Sequence, residues 1–327
     1  MRAARRLLAG ALLLTTPAAP LGRPASRAAL PALPALPAPP APPPALAVES
    51  GGAWREWWRA DRAPARWPAA LPVVANAVRW HPAAPGLEWG ELRLSGSGEA
   101  WRIGVVLARF DPTQLRLDLA YTPDPLERPN RWDIGDAPAD AVLAFNAGQF
   151  DGHGPWGWLV RDGVELGAPR TGPLAPAIVV DTAGALAFVP FDSLAARRAR
   201  GGLRLAFQSY PAVLLDDGLV PDALRRAGAG VSLVHRDARL ALGELRDGRW
   251  LVALTRFEGL GGALSNLPFG LTTPEMAALL GALGAGRAVL LDGGMSSQLL
   301  VRDTAGASHA WTGLRRVPLG LVAVPRR

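Results

Sequence analysis

The residues best suited to chemistry stand together near the C-terminal end of the sequence. A short apolar run, residues 288–291, leads directly into an aspartate, two glycines and, one position later, two serines: Asp292, Gly293, Gly294, Ser296 and Ser297. An apolar run bounded by turn residues is typical of a buried strand, so the aspartate is expected at the strand's end. Consecutive glycines permit a sharp turn whose N–H groups can bind an anion, and the serines add hydroxyl groups. The simpler alternative is an Asp-Gly hairpin turn between two strands.

Other segments accompany this stretch in a set order along the chain. They read Asn-Ala-Gly-Gln-Phe at residues 146–150, Arg-Leu-Ala-Leu-Gly at 239–243 and Gly-Leu-Thr-Thr-Pro-Glu-Met-Ala at 270–277. Together with Leu-Asp-Gly-Gly at 291–294, this order resembles the motifs of the phosphodiester glycosidase family, and the resemblance extends from residue 86 to the C-terminus. Two positions depart from the family pattern, in which glycines stand where this sequence has Tyr210 and Met295.

The resemblance implies an enzyme that hydrolyses the glycosidic bond of a sugar-1-phosphodiester, since the best-known member of the family removes N-acetylglucosamine from a phosphodiester. Asp292 is then expected to act as the catalytic nucleophile or base. Arg239 is expected to hold the phosphate, because a guanidinium is planar, permanently charged and able to bind two oxygens at once. The departing phosphate is a stable anion, so the need for a general acid is weaker than in ordinary glycoside hydrolysis.

A carbohydrate or glycosyl phosphate is therefore the expected partner. No cofactor and no metal are expected, because the usual His and Cys metal-ligand spacings are missing, although an oxygen-ligated cation at Asp292 stays open. The candidate substrate-binding residues are Asn146, Gly148, Gln208, Gly293, Gly294, Ser296, Ser297, Thr272 and Glu258.

Two other functions stay open at this point. A serine hydrolase could use Ser296 or Ser297 with a histidine, although the surrounding Gly-Met-Ser-Ser-Gln lacks the second glycine of a nucleophile elbow. A non-catalytic, exported polysaccharide-binding module could use the same stretch together with the tryptophan-rich segments. Nucleotide-dependent catalysis is not indicated, since the sequence has neither a Walker loop nor a strand-coupled Gly-x-Gly-x-x-Gly motif.

The charge of the chain does not indicate a nucleic-acid partner. All basic residues are arginines, and the net charge is +7 over 327 residues. Five of these arginines lie within residues 1–30, which carry no acidic residue, so the rest of the chain is close to neutral. The absence of cysteine excludes disulfides and thiolate chemistry.

The N-terminal part is predicted to direct export and to lead into one folded domain. Residues 1–30 begin with arginines followed by a short apolar run, the pattern of an export signal, with an uncleaved membrane anchor as the alternative. A Pro/Ala-rich linker (31–50), a Trp-rich N-terminal extension (51–85) and the glycosidase-like domain (86–327) follow. We therefore expect an exported protein, periplasmic or secreted, without stable membrane insertion after processing.

The elements expected to position these residues form a strand-dominated, single α+β domain with mixed sheets and few helices. One helix should start after Thr272, where Thr-Thr-Pro-Glu fits a capping box, and pack beside the strand that ends at Asp292. A short amphipathic helix is predicted from the i, i+3, i+4 spacing of Trp54, Trp57 and Trp58. A glycine-rich loop is predicted at 257–269. Strands are predicted at residues 91–94, 101–110, 115–121, 141–145, 176–180, 203–208, 231–235, 240–245, 250–255, 288–291, 298–302 and 317–324.

Overall fold

The structure is a computed structural model that describes residues 43–120, 132–258 and 269–326. The predicted export signal, the first part of the predicted linker and most of the predicted loop at 257–269 lie outside these ranges. None of the described helices has the length and apolar character needed to cross a membrane.

Strands make up most of the regular structure in the described ranges. In chain order they are β1 Ala45–Ser50, β2 Ala53–Arg59, β3 Arg79–Ala84, β4 Leu87–Gly96, β5 Ile103–Phe110, β6 Leu115–Ala120, β7 Leu143–Asn146, β8 Phe150–Asp151, β9 Gly154–Pro155, β10 Leu159–Arg161, β11 Val164–Gly167, β12 Ala177–Asp181, β13 Leu186–Val189, β14 Leu203–Gln208, β15 Ala212–Leu214, β16 Leu240–Leu245, β17 Trp250–Phe257, β18 Ala285–Leu290, β19 Leu299–Arg302, β20 Ser308–Trp311 and β21 Gly320–Pro325. The α-helices are α1 Pro72–Ala75, α2 Leu194–Arg200 and α3 Thr273–Ala282. Short 3-10 turns lie at Ala60–Arg62, Gly98–Ala100, Ile134–Asp136, Phe191–Ser193, Asp216–Gly218, Asp222–Leu224 and Gly294–Ser296.

These strands form three sheets and one two-stranded ribbon, and each strand pair is antiparallel. The nine-stranded sheet has the order β15-β18-β16-β17-β5-β4-β1-β2, with β3 also paired to β4. One five-stranded sheet has the order β11-β10-β14-β12-β13, and the other has the order β20-β19-β7-β21-β6. The predicted strand-dominated α+β class with few helices is confirmed, but the described sheets are antiparallel and not mixed as predicted.

The nine-stranded sheet is covered on both faces, which explains why its central strands are apolar throughout. Alternate residues of β5 point to opposite sides of the sheet. Ile103 and Val105 belong to the core that contains α3, whereas Val106 and Ala108 belong to the core shared with the other two sheets. A strand buried on both faces carries a nearly continuous apolar sequence, as residues 103–110 do.

Helix α3 begins as its sequence predicts. The Thr272 hydroxyl accepts a hydrogen bond from the Glu275 N–H at 3.3 Å, and the Glu275 carboxylate accepts one from the Thr272 N–H at 2.8 Å. This capping box satisfies amide groups that the first helical turn would otherwise leave unpaired. The helix contacts β15 and β18, so the predicted position beside the strand that leads to Asp292 is confirmed.

Two predictions of local structure are wrong. The segment containing Trp54, Trp57 and Trp58 is not a helix but strand β2, paired with β1. The hairpin forms because Gly51 and Gly52 adopt φ values of 60° and 77°, which permit a tight turn, and the resulting strand pairing outweighs the helical spacing. Residues 231–235 form no strand; their backbone consists of bends and irregular structure.

Candidate active site

Asp292 lies where the chain leaves one sheet for another. Strand β18 pairs with β15 and β16 in the nine-stranded sheet, whereas β19 pairs with β7 and β20 in a five-stranded sheet. Residues 291–298 therefore form a crossing between sheets, and the hairpin alternative for the Asp-Gly segment is wrong. The crossing places the Asp292 side chain beyond the end of β18, where a carboxylate can face a cleft.

The backbone of this crossing is held by a buried asparagine from the neighbouring sheet. Asn146, at the end of β7, donates through Nδ2 to the Asp292 carbonyl at 2.6 Å. Its Oδ1 accepts from the N–H of Gln298 at 2.9 Å. Both ends of the crossing are thus fixed by one side chain, through bonds that do not use the Asp292 carboxylate.

The two glycines after Asp292 allow a second segment to approach closely. A Cβ on Gly293 would lie 2.8 Å from the Ala238 carbonyl oxygen, and one on Gly294 would lie 2.9 Å from Oδ2 of Asp237. Gly294 also has φ +59°, a conformation that favours glycine. Its N–H donates to the Ala238 carbonyl at 2.7 Å, so this amide is used within the protein and not for an anion.

The result of this close approach is a cleft of about 790 Å³ with two aspartates in its lining, Asp237 and Asp292. Oδ1 of Asp237 and Oδ2 of Asp292 are both buried and have no hydrogen-bond partner among the described residues. Buried carboxylate oxygens normally have a partner, because desolvation without one is costly. Two such oxygens beside one cleft are therefore suited to receive a substrate.

Burial also raises the pKa values of the Asp237 and Asp292 carboxyl groups. Desolvation raises the pKa of Asp292 from 3.8 to about 6, and the negative charge of Asp237 adds to this rise. The Ser296 hydroxyl and the positive charge of Arg315 act in the opposite direction. Burial likewise raises the pKa of Asp237, against the opposing charges of Arg239 and His235. Carboxyl groups with raised pKa values are suited to acid–base and nucleophilic roles near neutral pH.

Positive groups lie along the same cleft. Arg315 lines it, exposed to solvent, with its guanidinium 4.6 Å from the centre of the Phe150 ring. Arg236 also lines it and binds the buried Glu275 carboxylate through both terminal nitrogens, at 2.5 and 2.8 Å. The His235 ring nitrogen Nε2 lies 3.7 Å from Oδ2 of Asp237. An anionic group would therefore meet Arg315 at the solvent side of the carboxylates.

The predicted site residues fall into two groups. Asp292, Gly293, Gly294 and Ser296 line the cleft. Arg239 is not among the residues that line it; its Nε donates to the Leu271 carbonyl at 2.9 Å and its Nη2 to the His235 carbonyl at 2.8 Å. Its buried charge acts on the cleft through Asp237, and its role in binding phosphate stays a prediction.

Other predicted binding residues have structural contacts away from the cleft. Gln208 is buried and uses both amide atoms: Oε1 accepts from the N–H groups of Trp158 and Arg170, and Nε2 donates to the carbonyls of Arg170 and Ala175. Gly148 packs against the Gln208 carbonyl, where no space for a Cβ exists.

The remaining predicted binding residues, Thr272, Glu258 and Ser297, also lie outside the lining of the cleft. Thr272 caps α3, as described above. Glu258 forms an ion pair with Arg93 at 3.2 Å. The Ser297 hydroxyl is buried without a partner among the described residues and lines a separate cavity of only about 10 Å³. None of the three is a lining residue of the cleft.

Sequence reasoning missed the second carboxylate and the cation beside it. Asp237 stands two residues before Arg239, outside the segment at 239–243 that carries the resemblance. Arg315 lies outside the recognised motifs and reaches the cleft through the path of the chain after β20. Among the described residues, no hydrogen bond joins Ser296 or Ser297 to a histidine, and no group of three or more His, Asp or Glu side chains is placed to hold a metal ion.

Comparison with known proteins identifies the family of the chain. Residues 139–324, more than half of the chain, match the family model described as phosphodiester glycosidase. The chain belongs to this family. The segments carrying Asn146, Asp237 and Asp292 all lie within the matched region. No curated protein matches the chain.

Solved structures are similar to the chain at low sequence identity. One is the catalytic domain of zebrafish N-acetylglucosamine-1-phosphodiester alpha-N-acetylglucosaminidase, described as auto-inhibited by its pro-peptide. It has 15% identity and a TM-score of 0.54, and the match covers 79% of this chain and 87% of the zebrafish domain. A hypothetical protein from Synechocystis has 17% identity and a TM-score of 0.46, covering 86% of this chain and 68% of that one.

Proposed function

We propose that this protein is a hydrolase that cleaves the glycosidic bond of a sugar-1-phosphodiester. The observation that carries the proposal is the pair of buried, unpartnered carboxylate oxygens of Asp237 and Asp292 on one cleft. Glycoside hydrolysis generally uses two carboxyl groups on either side of the bond that breaks. Membership of the phosphodiester glycosidase family supports a phosphate as the leaving group.

Asp292 acts on the anomeric carbon in this proposal. With a pKa of about 6 it is mostly ionised at pH 7, as a nucleophile or general base must be. Acting as the base, Asp292 accepts one proton from a water molecule while the water oxygen bonds to the anomeric carbon and the bond from that carbon to the bridging oxygen breaks. The electron pair of that bond leaves with the phosphate. Asp237 is the second carboxyl group, and in its protonated form it donates a hydrogen bond to the bridging oxygen.

The leaving group reduces the need for a strong general acid at this site. A phosphomonoester departs as an anion with a second pKa near ~6, so proton donation contributes less than for an alcohol. Arg315, at the solvent side of the carboxylates, supplies the opposite charge for the phosphate. A guanidinium can bind two phosphate oxygens at once, which orients the ester as well as attracting it.

The protein acts outside the cytoplasm in this proposal, in the periplasm or as a secreted enzyme, on a glycan of the envelope or an exopolysaccharide. The arginine-rich start, the short apolar run and the proline-rich segment at residues 1–44 support export. N-terminal sequencing of protein recovered from the native host should therefore begin beyond about residue 25, within or after the signal pattern. Intact Met1 in the cytoplasmic fraction would contradict export.

A product screen tests the reaction itself. The purified protein is incubated with a panel of sugar-1-phosphodiesters in water enriched in ¹⁸O, and the products are identified by mass spectrometry. The proposal predicts free sugar carrying ¹⁸O and an unlabelled phosphomonoester, because water attacks carbon. Sugar 1-phosphate or label in the phosphate would indicate attack on phosphorus and a phosphodiesterase. Binding without products would indicate the non-catalytic polysaccharide-binding alternative.

A further inference from the structure

A second groove, of about 650 Å³, lies next to the carboxylate cleft. Its walls come from β2, from the segment before α1 and from α3, with mostly apolar side chains. Those that carry the argument are Trp58, Trp67, Leu224, Leu233 and Ala278. Trp67 packs so closely on α3 that its ring leaves no space for a Cβ on Gly281, so this wall is firmly held.

The groove and the cleft share part of their lining. Val234 and Arg236 line both of them, so the two cavities meet at these residues, and a molecule that passes over Val234 would occupy both. Val234 is 84% exposed, which is unusual for a valine and adds apolar surface at the junction. A ligand that spans the junction would remove this side chain from water.

The charges around the groove favour an amphiphile whose polar end is anionic. Arg225, Arg226 and Arg236 line the groove, and Asp61 is the acidic residue in its lining. Arg225 and Arg226 are exposed to solvent, whereas Arg236, which lines both cavities, is paired with the Glu275 carboxylate. A phosphate at the junction with an apolar chain behind it would match this distribution of charge.

We propose that the groove binds the apolar chain of the leaving group, so that the substrate is a lipid-linked glycosyl phosphate. This inference rests on the function proposed above and names its substrate class. The sugar occupies the cleft at Asp292, the phosphate lies near Arg236 and Arg315, and a linear alkyl or isoprenyl chain lies along Trp58 and Trp67. A polar alcohol in place of the lipid would leave the apolar walls in contact with water.

The apolar chain of the leaving group stabilises the bound substrate and the transition state equally, because it does not take part in bond breaking. Burying one methylene group strengthens binding by roughly three- to fourfold, and such uniform binding appears in kcat/KM. Lengthening the leaving group from methyl to octyl should therefore raise kcat/KM by at least about tenfold, even if only two of the added methylenes are fully buried.

The test compares methyl and octyl phosphodiesters of the sugar that the product screen identifies. We expect the full-length protein to prefer the octyl ester by at least about tenfold in kcat/KM. Val234→Glu places a charge at the junction, and the octyl-to-methyl ratio should fall to about one. Val164→Glu is the matched control: this valine is 59% exposed on β11, away from both cavities, and its replacement should leave the ratio unchanged.

The failure of this inference can be told apart from failure of the proposed reaction. If the methyl ester is hydrolysed and the octyl ester is not preferred, the lipid inference is wrong while the reaction stands. If neither ester is hydrolysed, titration calorimetry with octyl phosphate and methyl phosphate decides: tighter binding of octyl phosphate, weakened by Val234→Glu, supports the groove. If octyl phosphate and methyl phosphate bind equally tightly, the inference is overturned. This outcome is also expected if another part of the chain or a second copy fills the groove.

Discussion

Replacing Asp292 with asparagine should stabilise the protein at neutral pH while leaving its stability in acid unchanged. Asparagine is nearly the same shape as aspartate and carries no charge at any pH. Burial raises the pKa of Asp292 from 3.8 to about 6, so the folded protein prefers the protonated carboxyl group. The ionised form that predominates at neutral pH therefore opposes folding.

The direction of the stability change and the pH range in which it occurs follow from the ordinary and the raised pKa of Asp292. Because folding raises the pKa of Asp292, its carboxyl group adds to the free energy of unfolding when it is protonated. This stabilisation is complete below pH 3.8 and is lost as the pH rises through about 6. The total loss amounts to about 3 kcal/mol by pH 8. The asparagine variant has no such loss. The difference in free energy of unfolding between variant and wild type should therefore grow by up to about 3 kcal/mol from pH 4 to pH 8.

Urea unfolding at several pH values between 4 and 8 measures this difference directly. Asp217→Asn is a suitable control, because Asp217 is an exposed aspartate with φ 56°, a conformation that asparagine tolerates. Its side chain is exposed to solvent, so it controls for the effect of an Asp-to-Asn change outside the cleft. A constant difference for Asp292→Asn across this range would refute the account of a buried, partly desolvated carboxylate.

Three further substitutions separate catalysis from structure. Arg239→Lys loses the hydrogen bond to the Leu271 carbonyl and should lower the free energy of unfolding by about 1–3 kcal/mol in urea titrations; lost turnover at unchanged stability would instead favour phosphate binding. Gly294→Ala introduces a Cβ 2.9 Å from Asp237 at φ +59°, so turnover and melting temperature should fall together, and a wild-type melting temperature would contradict this. Thr272→Ala removes the α3 cap and should cost about 0.5–2 kcal/mol with normal KM; a raised KM would support its predicted binding role.

The sequence predicted correctly those strands and that helix whose formation is determined by residues close together in the chain. β14 and β16 have the predicted bounds, and α3 starts at the predicted capping box. Asp292 stands just after a buried strand, as expected. In each of these cases apolar patterning or a cap within a few residues determines the element, so the sequence window contains the cause.

Non-local pairing explains the parts that could not be predicted. The helical spacing of Trp54, Trp57 and Trp58 is overridden by pairing of β2 with β1. The partner of Asp292 in the cleft comes from a segment more than fifty positions earlier, because Gly294 and Gly293 let residues 237–238 approach the crossing. A contact of this kind depends on the arrangement of sheets, and nothing near Asp237 in the sequence indicates it.

The turnover of Asp292→Asn on a sugar-1-phosphodiester tests the central claim most directly, namely that the two cleft carboxylates break the glycosidic bond. The variant and wild type are compared at pH 7 by release of free sugar, with circular dichroism to verify folding. The account predicts a folded variant whose turnover is at least about 100-fold lower, the low end of what a positioned acid–base group contributes. Wild-type turnover in the folded variant would contradict it.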